Sequence, residues 1–200
     1  MEFFLKYFLP IYFVLFLGLA VLWRSWLVWK QTSVNPFVLK NVGGVEGLVS
    51  FYFRLMPLIS ISVLILYLAS PERYAYLGTF QWLENSVLQL LGVVLMVISL
   101  ALMVCAQAQM GNSWRIGIDH QNKTEMVAQG LFLYSRNPIF LSVMVSVVGY
   151  FLVLPNALTL LCVFLDLVLI QVQIYLEEAH LSESYGEAYA DYCRRVRRWL

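Results

Sequence analysis

Five apolar runs decide what this chain can fold into: Phe3–Trp23, Leu48–Ala69, Trp82–Ala108, Pro138–Leu154 and Ala157–Leu176. A hydrocarbon core takes about 20 helical residues to cross. Inside it every backbone N–H and C=O needs a partner within the chain, so runs of this kind become α-helices. Composition agrees, with 61% of the 200 residues apolar and 12% charged, and a mean hydropathy of +0.75. The expected fold class is all-α integral membrane, five transmembrane helices with a C-terminal amphipathic cytoplasmic helix. Residues 1–200 form a single membrane domain, because nothing between the runs is long enough for a separate soluble one.

The first run lacks a basic start and a small-residue cleavage site, so it reads as a retained helix and not as a signal peptide. Cys105, Cys162 and Cys193 are far apart and form no CxxC pair, which argues against a disulfide framework or a zinc site. Runs four and five are separated only by Pro155 and Asn156, a turn so tight that the two make an antiparallel hairpin. Five spans put the two ends on opposite sides. Lys6 and Arg73 then share one side, while Arg24, Lys30, Lys40, Arg54, Arg115, Lys123, Arg136, Arg194, Arg195, Arg197 and Arg198 share the other. The positive-inside rule assigns the second group to the cytoplasm and leaves the N-terminus outside. Segments 24–47, 109–137 and 177–200 all face the cytosol in this reading, and any soluble co-substrate comes from there.

The stretch GLFLYSRNPIFL, residues 130–141, sets a guanidinium at the mouth of the fourth run. Pro138 biases Asn137 away from helical geometry and suits a first helical turn, so Arg136 and Asn137 sit at a helix N-terminus. Such an end with a guanidinium can hold a carboxylate or a phosphate. Taken alone, Arg136 is equally an anchor that snorkels to headgroups. Glu177 and Glu178 follow the fifth run directly. A helix C-terminus favours cations, so two carboxylates there call for a positive partner, unless they merely begin a solvated helix. The hairpin brings this pair back to the face that carries Arg136, and together they match a ligand with both a carboxylate and an ammonium or sulfonium. Downstream, Leu181, Tyr185, Tyr189, Tyr192, Val196 and Trp199 recur at helical spacing, with arginines gathered beyond them and Gly186 as a point of bending. Those arginines suit an anionic leaflet, at about 1 kcal/mol each.

The pattern G-x-F-x-x-x-R-N-P-x-F, then a hairpin, then E-E-x-x-L-x-x-x-Y-G-x-x-Y-x-x-Y, resembles the isoprenylcysteine carboxyl methyltransferase and phospholipid methyltransferase superfamily. MGNSWRIGID and KTEMVAQG, farther upstream, resemble its bacterial branch. The likeness covers 105–200, which it marks as the cofactor-binding catalytic core, with 1–104 as N-terminal spans. It implies a membrane enzyme that uses S-adenosylmethionine without a Rossmann domain, located in a bacterial inner membrane. Carried over by position, it implies a cofactor site of Glu125, Val127, Gly130, Arg136, Asn137, Pro138, Phe140, Glu177 and Glu178, with Arg136 and Glu177 catalytic. Thr124, Glu125 and Val127 would form a strand-like loop holding the adenine. Relatives that methylate prenylcysteine carry histidine and tyrosine where this chain has Asn137 and Phe140, so the acceptor is not copied from them. A prenylcysteine-like carboxylate, a phospholipid amine, a small thiol or another lipophilic molecule all stay open. Methyl transfer needs alignment more than acid–base groups, and orientation can supply roughly 7–11 kcal/mol.

Two other classes compete. An NADPH-dependent membrane reductase on a related scaffold would want a glycine-rich fingerprint, which is missing from the sequence. A non-enzymatic scaffold or transporter explains the spans but not the Arg-Asn-Pro and Glu-Glu elements. The expected partners are a lipophilic small molecule and membrane lipids, with no nucleic acid; the sequence leaves oligomeric state open. Asp166, deep in the fifth run, costs about 2.5–3.5 kcal/mol to insert and is expected to meet Ser142 or Ser146 across the hairpin. His120 reads as a solvated loop residue, Trp114 as an interfacial anchor or a cap with Arg115, and Arg54 as a snorkelling side chain.

Overall fold

The computed structural model describes residues 1–38, 43–122 and 124–200, so Lys40 and Lys123 of the basic group lie outside the described residues. Among these residues the structure is helical, with two isolated bridge pairs and no strand. Four helices are long and apolar enough to cross a membrane: Glu2–Thr32, Val45–Ala69, Ser86–Ser113 and Ala157–Tyr185. The apolar helix Pro138–Val153 is shorter. Exposed apolar side chains such as Ile11, Val14, Val97, Phe164 and Val168 cover the outside, which suits lipid as the surrounding solvent and would be costly in water.

The first helix outruns its apolar segment. Helix α1 (Glu2–Leu15) continues through a π-helical stretch, Phe16–Trp23, into α2 (Arg24–Thr32), so the expected end at Trp23 is only a change in winding. Helices α3 (Val45–Ala69) and α4 (Pro71–Ala75) follow. Helix α5 (Ser86–Met110) starts later than the apolar run does, because the Asn85 side chain accepts the Leu88 N–H at 3.0 Å and caps it. Helix α6 (Pro138–Val153) has proline in its first turn. Helix α7 (Ala157–Tyr185) opens on a reciprocal cap: Asn156 Oδ1 accepts the Leu158 and Thr159 N–H groups, and the Asn156 N–H donates to Thr159 Oγ1 at 3.2 Å. The hairpin turn is further tied to segment 77–80, through Ala157 N to Gly78 O at 3.0 Å and Phe80 N to Pro155 O at 2.9 Å.

Although α6 and α7 share the two-residue turn, α6 packs most extensively against α5. Gly92 and Gly149 make this possible. A Cβ on Gly92 would lie 2.6 Å from the Gly149 carbonyl oxygen, and one on Gly149 would lie 2.8 Å from that of Gly92. Small residues bring membrane helices together in this way, where lipid supplies no hydrophobic drive for them to associate. The Tyr12 hydroxyl sits 3.0 Å from Ser99 Oγ and 2.6 Å from Ser146 Oγ, joining α1, α5 and α6 inside a core of Leu5, Leu9, Val63, Val93 and Met96.

Glu177 and Glu178 do not begin a new helix, since α7 runs unbroken to Tyr185. Gly186, with φ of 54°, ends it and turns the chain into α8 (Glu187–Arg195). Val196 is extended, so Arg197 and Arg198 leave the helix instead of completing it. Replacing Gly92 by alanine is expected to cost about 1–3 kcal/mol by overpacking α5 against α6, read as a lower unfolding temperature in detergent. Gly18→Ala, where nothing lies within 4 Å of the new methyl, is the control expected to hold the parent's stability.

Candidate active site

The segment before α6 is built by one glycine and one glutamine. Gly130 has φ of 59°, and a Cβ there would come within 2.5 Å of the Gln109 side chain. Gln109 Oε1 accepts the Leu131 N–H at 2.7 Å and so ties the end of α5 to this loop. Phe132 is held from the other side, its carbonyl accepting the Tyr192 hydroxyl at 2.7 Å. Burial pushes the Tyr192 phenol up to about 12, so it remains a donor.

Arg136 and Asn137 are then stitched to the extended segment after α8. The Arg136 N–H donates to Arg197 O at 2.9 Å, Asn137 Nδ2 to Arg198 O at 3.0 Å and Ser135 Oγ to the same carbonyl at 3.3 Å. Asn137 thus spends its side chain on this strap and does not cap α6. The side chains complete the clasp: Arg136 Nη2 lies 3.1 Å from Glu178 Oε1, while Arg198 donates to both oxygens of the same carboxylate at 3.1 and 2.5 Å. Glu178 raises the Arg198 guanidinium above its ordinary value. The positive partner that the carboxylate pair demanded is therefore Arg136 itself, reinforced by Arg198, which the sequence had suggested only as a leaflet ligand.

Arg136 keeps one donor in reserve. Its Nε is buried and makes no hydrogen bond to any described residue. Glu177, one step round the helix from Glu178, points elsewhere and accepts a hydrogen bond from Gln173 Nε2 at 2.8 Å. Both side chains line a cavity of about 680 Å³ that runs from this polar end in among α1, α3, α5, α6 and α7. Asn137, Pro138, Phe140 and Glu178 line it too, as do Glu125 and Val127 on the irregular loop after α5. Thr124 on that loop is pinned by the Tyr185 hydroxyl, which donates to its carbonyl, and Met126 and Ala128 pack against Tyr189, Tyr192 and Val196. Gly130 alone of the nine expected site residues is not in the lining; its place is the backbone turn over Gln109.

The structure also places four other residues that the sequence singled out. Trp114 is 3% exposed and lines the cavity, so it is a wall and not an interfacial anchor. Arg115 bonds the Asn112 and Trp114 carbonyls at 2.8 Å and pairs with Asp119 at 3.4 Å. Burial alone would raise the Asp119 carboxyl, but donors from Asn122, Gln121 and Arg115 hold it below its ordinary value. His120 is exposed as expected, yet it lies 3.2 Å from Glu46 on α3 and meets the His180 ring edge-on at 4.8 Å, all at the polar end. Asp166 meets neither serine: Ser146 bonds Tyr12, and Ser142 donates to Ile139 O at 2.6 Å. Gln173 and the strap carbonyls were not foreseen. A glutamine one turn before Glu177 in an apolar run was the available signal for the first; nothing in the sequence marks a backbone carbonyl.

The family model described as phospholipid methyltransferase matches residues 87–188. The match takes in more than half of the chain, which belongs to this family and with it to the isoprenylcysteine carboxyl methyltransferase-like superfamily. No curated protein and no solved structure matches the chain.

Loss of the central carboxylate should loosen the strap. Glu178→Gln is expected to speed tryptic cleavage after Arg197 and Arg198 by about two- to fivefold, as for interactions worth up to about 1 kcal/mol, while cleavage after Lys6 is unchanged; both rates can be followed by mass spectrometry.

Proposed function

We propose that this member of the phospholipid methyltransferase family is an integral membrane methyltransferase that takes S-adenosylmethionine from the cytosol and a lipophilic acceptor from the bilayer. In this reading the short helix α6 is a fifth span, α8 lies at the cytoplasmic face, and the N-terminus is outside. The observation that carries it is the pairing, on one wall of the cavity, of a guanidinium with a free buried donor and a carboxylate with accepting capacity left. An amino acid moiety presents the inverse charges. The Arg136 guanidinium suits its carboxylate and Glu177 its ammonium, while Glu178, held between two guanidinium groups, fixes Arg136 in place.

The cofactor, when bound, supplies an electrophilic methyl group on a sulfonium. The residues bind and align. Trp114, Phe140 and their apolar neighbours exclude water, which strengthens the charge contacts of Arg136 and Glu177. Beyond them the lining turns apolar, with Phe16, Met56, Met103 and Val143, a passage suited to the chain of a lipophilic acceptor. Carboxylates of prenylcysteine-like molecules and amines of phospholipids both fit such a passage. No general base is required of the histidines, because a sulfonium is already a good leaving group and orientation contributes most of the acceleration.

Calorimetric titration of the purified protein with S-adenosylhomocysteine tests this reading. The parent is expected to bind, and Arg136→Ala and Glu177→Gln to bind at least about tenfold more weakly, as loss of a charge-assisted hydrogen bond implies. A response to NADPH with none to S-adenosylhomocysteine would place the chain among reductases instead.

A further inference from the structure

Most of the residues that α7 gives to the cavity are polar, and Asp166 carries this character to membrane depth. Asp166, Gln173 and Glu177 are spaced by seven and four residues, so they share one helix face. All three line the cavity, and His180 and Ser184 continue the file at the cytosolic end. Asp166 is its deep terminus, about 17 Å along the helix from Glu177 at 1.5 Å per residue. It is 5% exposed, and none of the described residues gives it a hydrogen bond. Of the cavity-lining hydroxyls on the other helices, Tyr12 is committed to Ser99 and Ser146, and Tyr150 to Ser60 O at 2.9 Å. A carboxyl kept at this depth against an insertion cost, and aimed into a cavity, marks a functional site.

We propose that Asp166 is the deep anchor of the acceptor site and accepts a hydrogen bond from a hydroxyl or protonated amine carried by the lipophilic molecule that fills the cavity. This rests on the methyltransferase reading and refines it. A molecule held by polar contacts at two depths is fixed in register along the cavity, so that its reacting atom stops at the level of the cytosolic end. A plain hydrocarbon tail could slide there. Asp166 therefore selects among acceptors by what they carry within their apolar portion, and it has no part in holding the cofactor.

The test uses the full chain in phosphatidylcholine nanodiscs saturated with S-adenosylhomocysteine, titrated by calorimetry with dodecylamine, dodecanol and dodecanoate, with protein-free discs as the blank. The parent is expected to bind the amine and the alcohol at least about tenfold more tightly than dodecanoate, which offers no donor when ionised. Asp166→Leu should abolish that preference without changing the affinity for S-adenosylhomocysteine. Asp166→Asn keeps an accepting oxygen, so it should retain the alcohol and lose the amine if the group recognised is cationic, and retain both if it is neutral. The proposal falls if Asp166→Leu keeps the parent's order with unchanged affinities, or if the parent shows no preference among the three chains. A parent that fails to bind S-adenosylhomocysteine defeats the methyltransferase reading itself, a separate outcome seen before any chain is added.

Discussion

One carboxylate organises the polar end of this protein. Glu178 is shared by Arg136 from the turn before α6 and Arg198 from the strap after α8, and it reaches both from the far end of α7. Three pieces of chain that the helices alone would leave apart are therefore tied at one point. Arg136 and Glu178 are mostly buried while Arg198 is half exposed, so removing the carboxylate would leave the Arg136 guanidinium buried without its partner. The strap carbonyls extend the tie to the backbone of Arg136 and the side chain of Asn137. What results is a guanidinium whose position is overdetermined, which is what a binding site asks of it.

Much of this was legible in the amino-acid sequence, for identifiable reasons. Apolar run length reports helices that face lipid, and each run falls on a helix, although the helices of the first and last runs continue nine residues past the expected ends, from Trp23 to Thr32 and from Leu176 to Tyr185. The errors at their ends came from side chains: Asn85 caps α5 and trims the run. On a helix already nucleated, α2 prolongs the first helix past its apolar part, with Arg24 turned inward to donate to the Gly111 carbonyl and Lys30 lying over the Trp26 ring. Proline and the glutamate pair pointed to the candidate site because each is unusual where it stands, and the structure brings Arg136 and Glu178 together there. What stayed hidden depends on tertiary pairing. Charge types told that Glu178 needs a cation, but not that two arginines on different segments would both supply it. Helical counting placed Ser146 opposite Asp166, yet the serine turned to Tyr12, a residue more than a hundred positions away in the chain.

Helix α7 joins two functions that membrane enzymes must reconcile. Its outer face carries Phe164, Leu167 and Val168 to the lipid, while its inner face carries acids and amides along a cavity. This division lets one helix be stable in a bilayer and still carry ionisable groups along a cavity. The close fit of α5 on α6 serves the same end, since a wall without gaps keeps the cavity from filling with acyl chains from that side.

The short length of α6 has a consequence of its own. Its 16 residues span about 24 Å, some 6 Å less than a typical hydrocarbon slab of about 30 Å. If its outer end is level with the hairpin turn, its inner end stops roughly one helical turn below the headgroup boundary. Arg136 and Asn137 are then sunk into the slab instead of resting on its surface. Hydrophobic mismatch, ordinarily a penalty to be relieved by tilt or thinning, would then set the depth of the polar pocket mouth that Arg136 and Asn137 build.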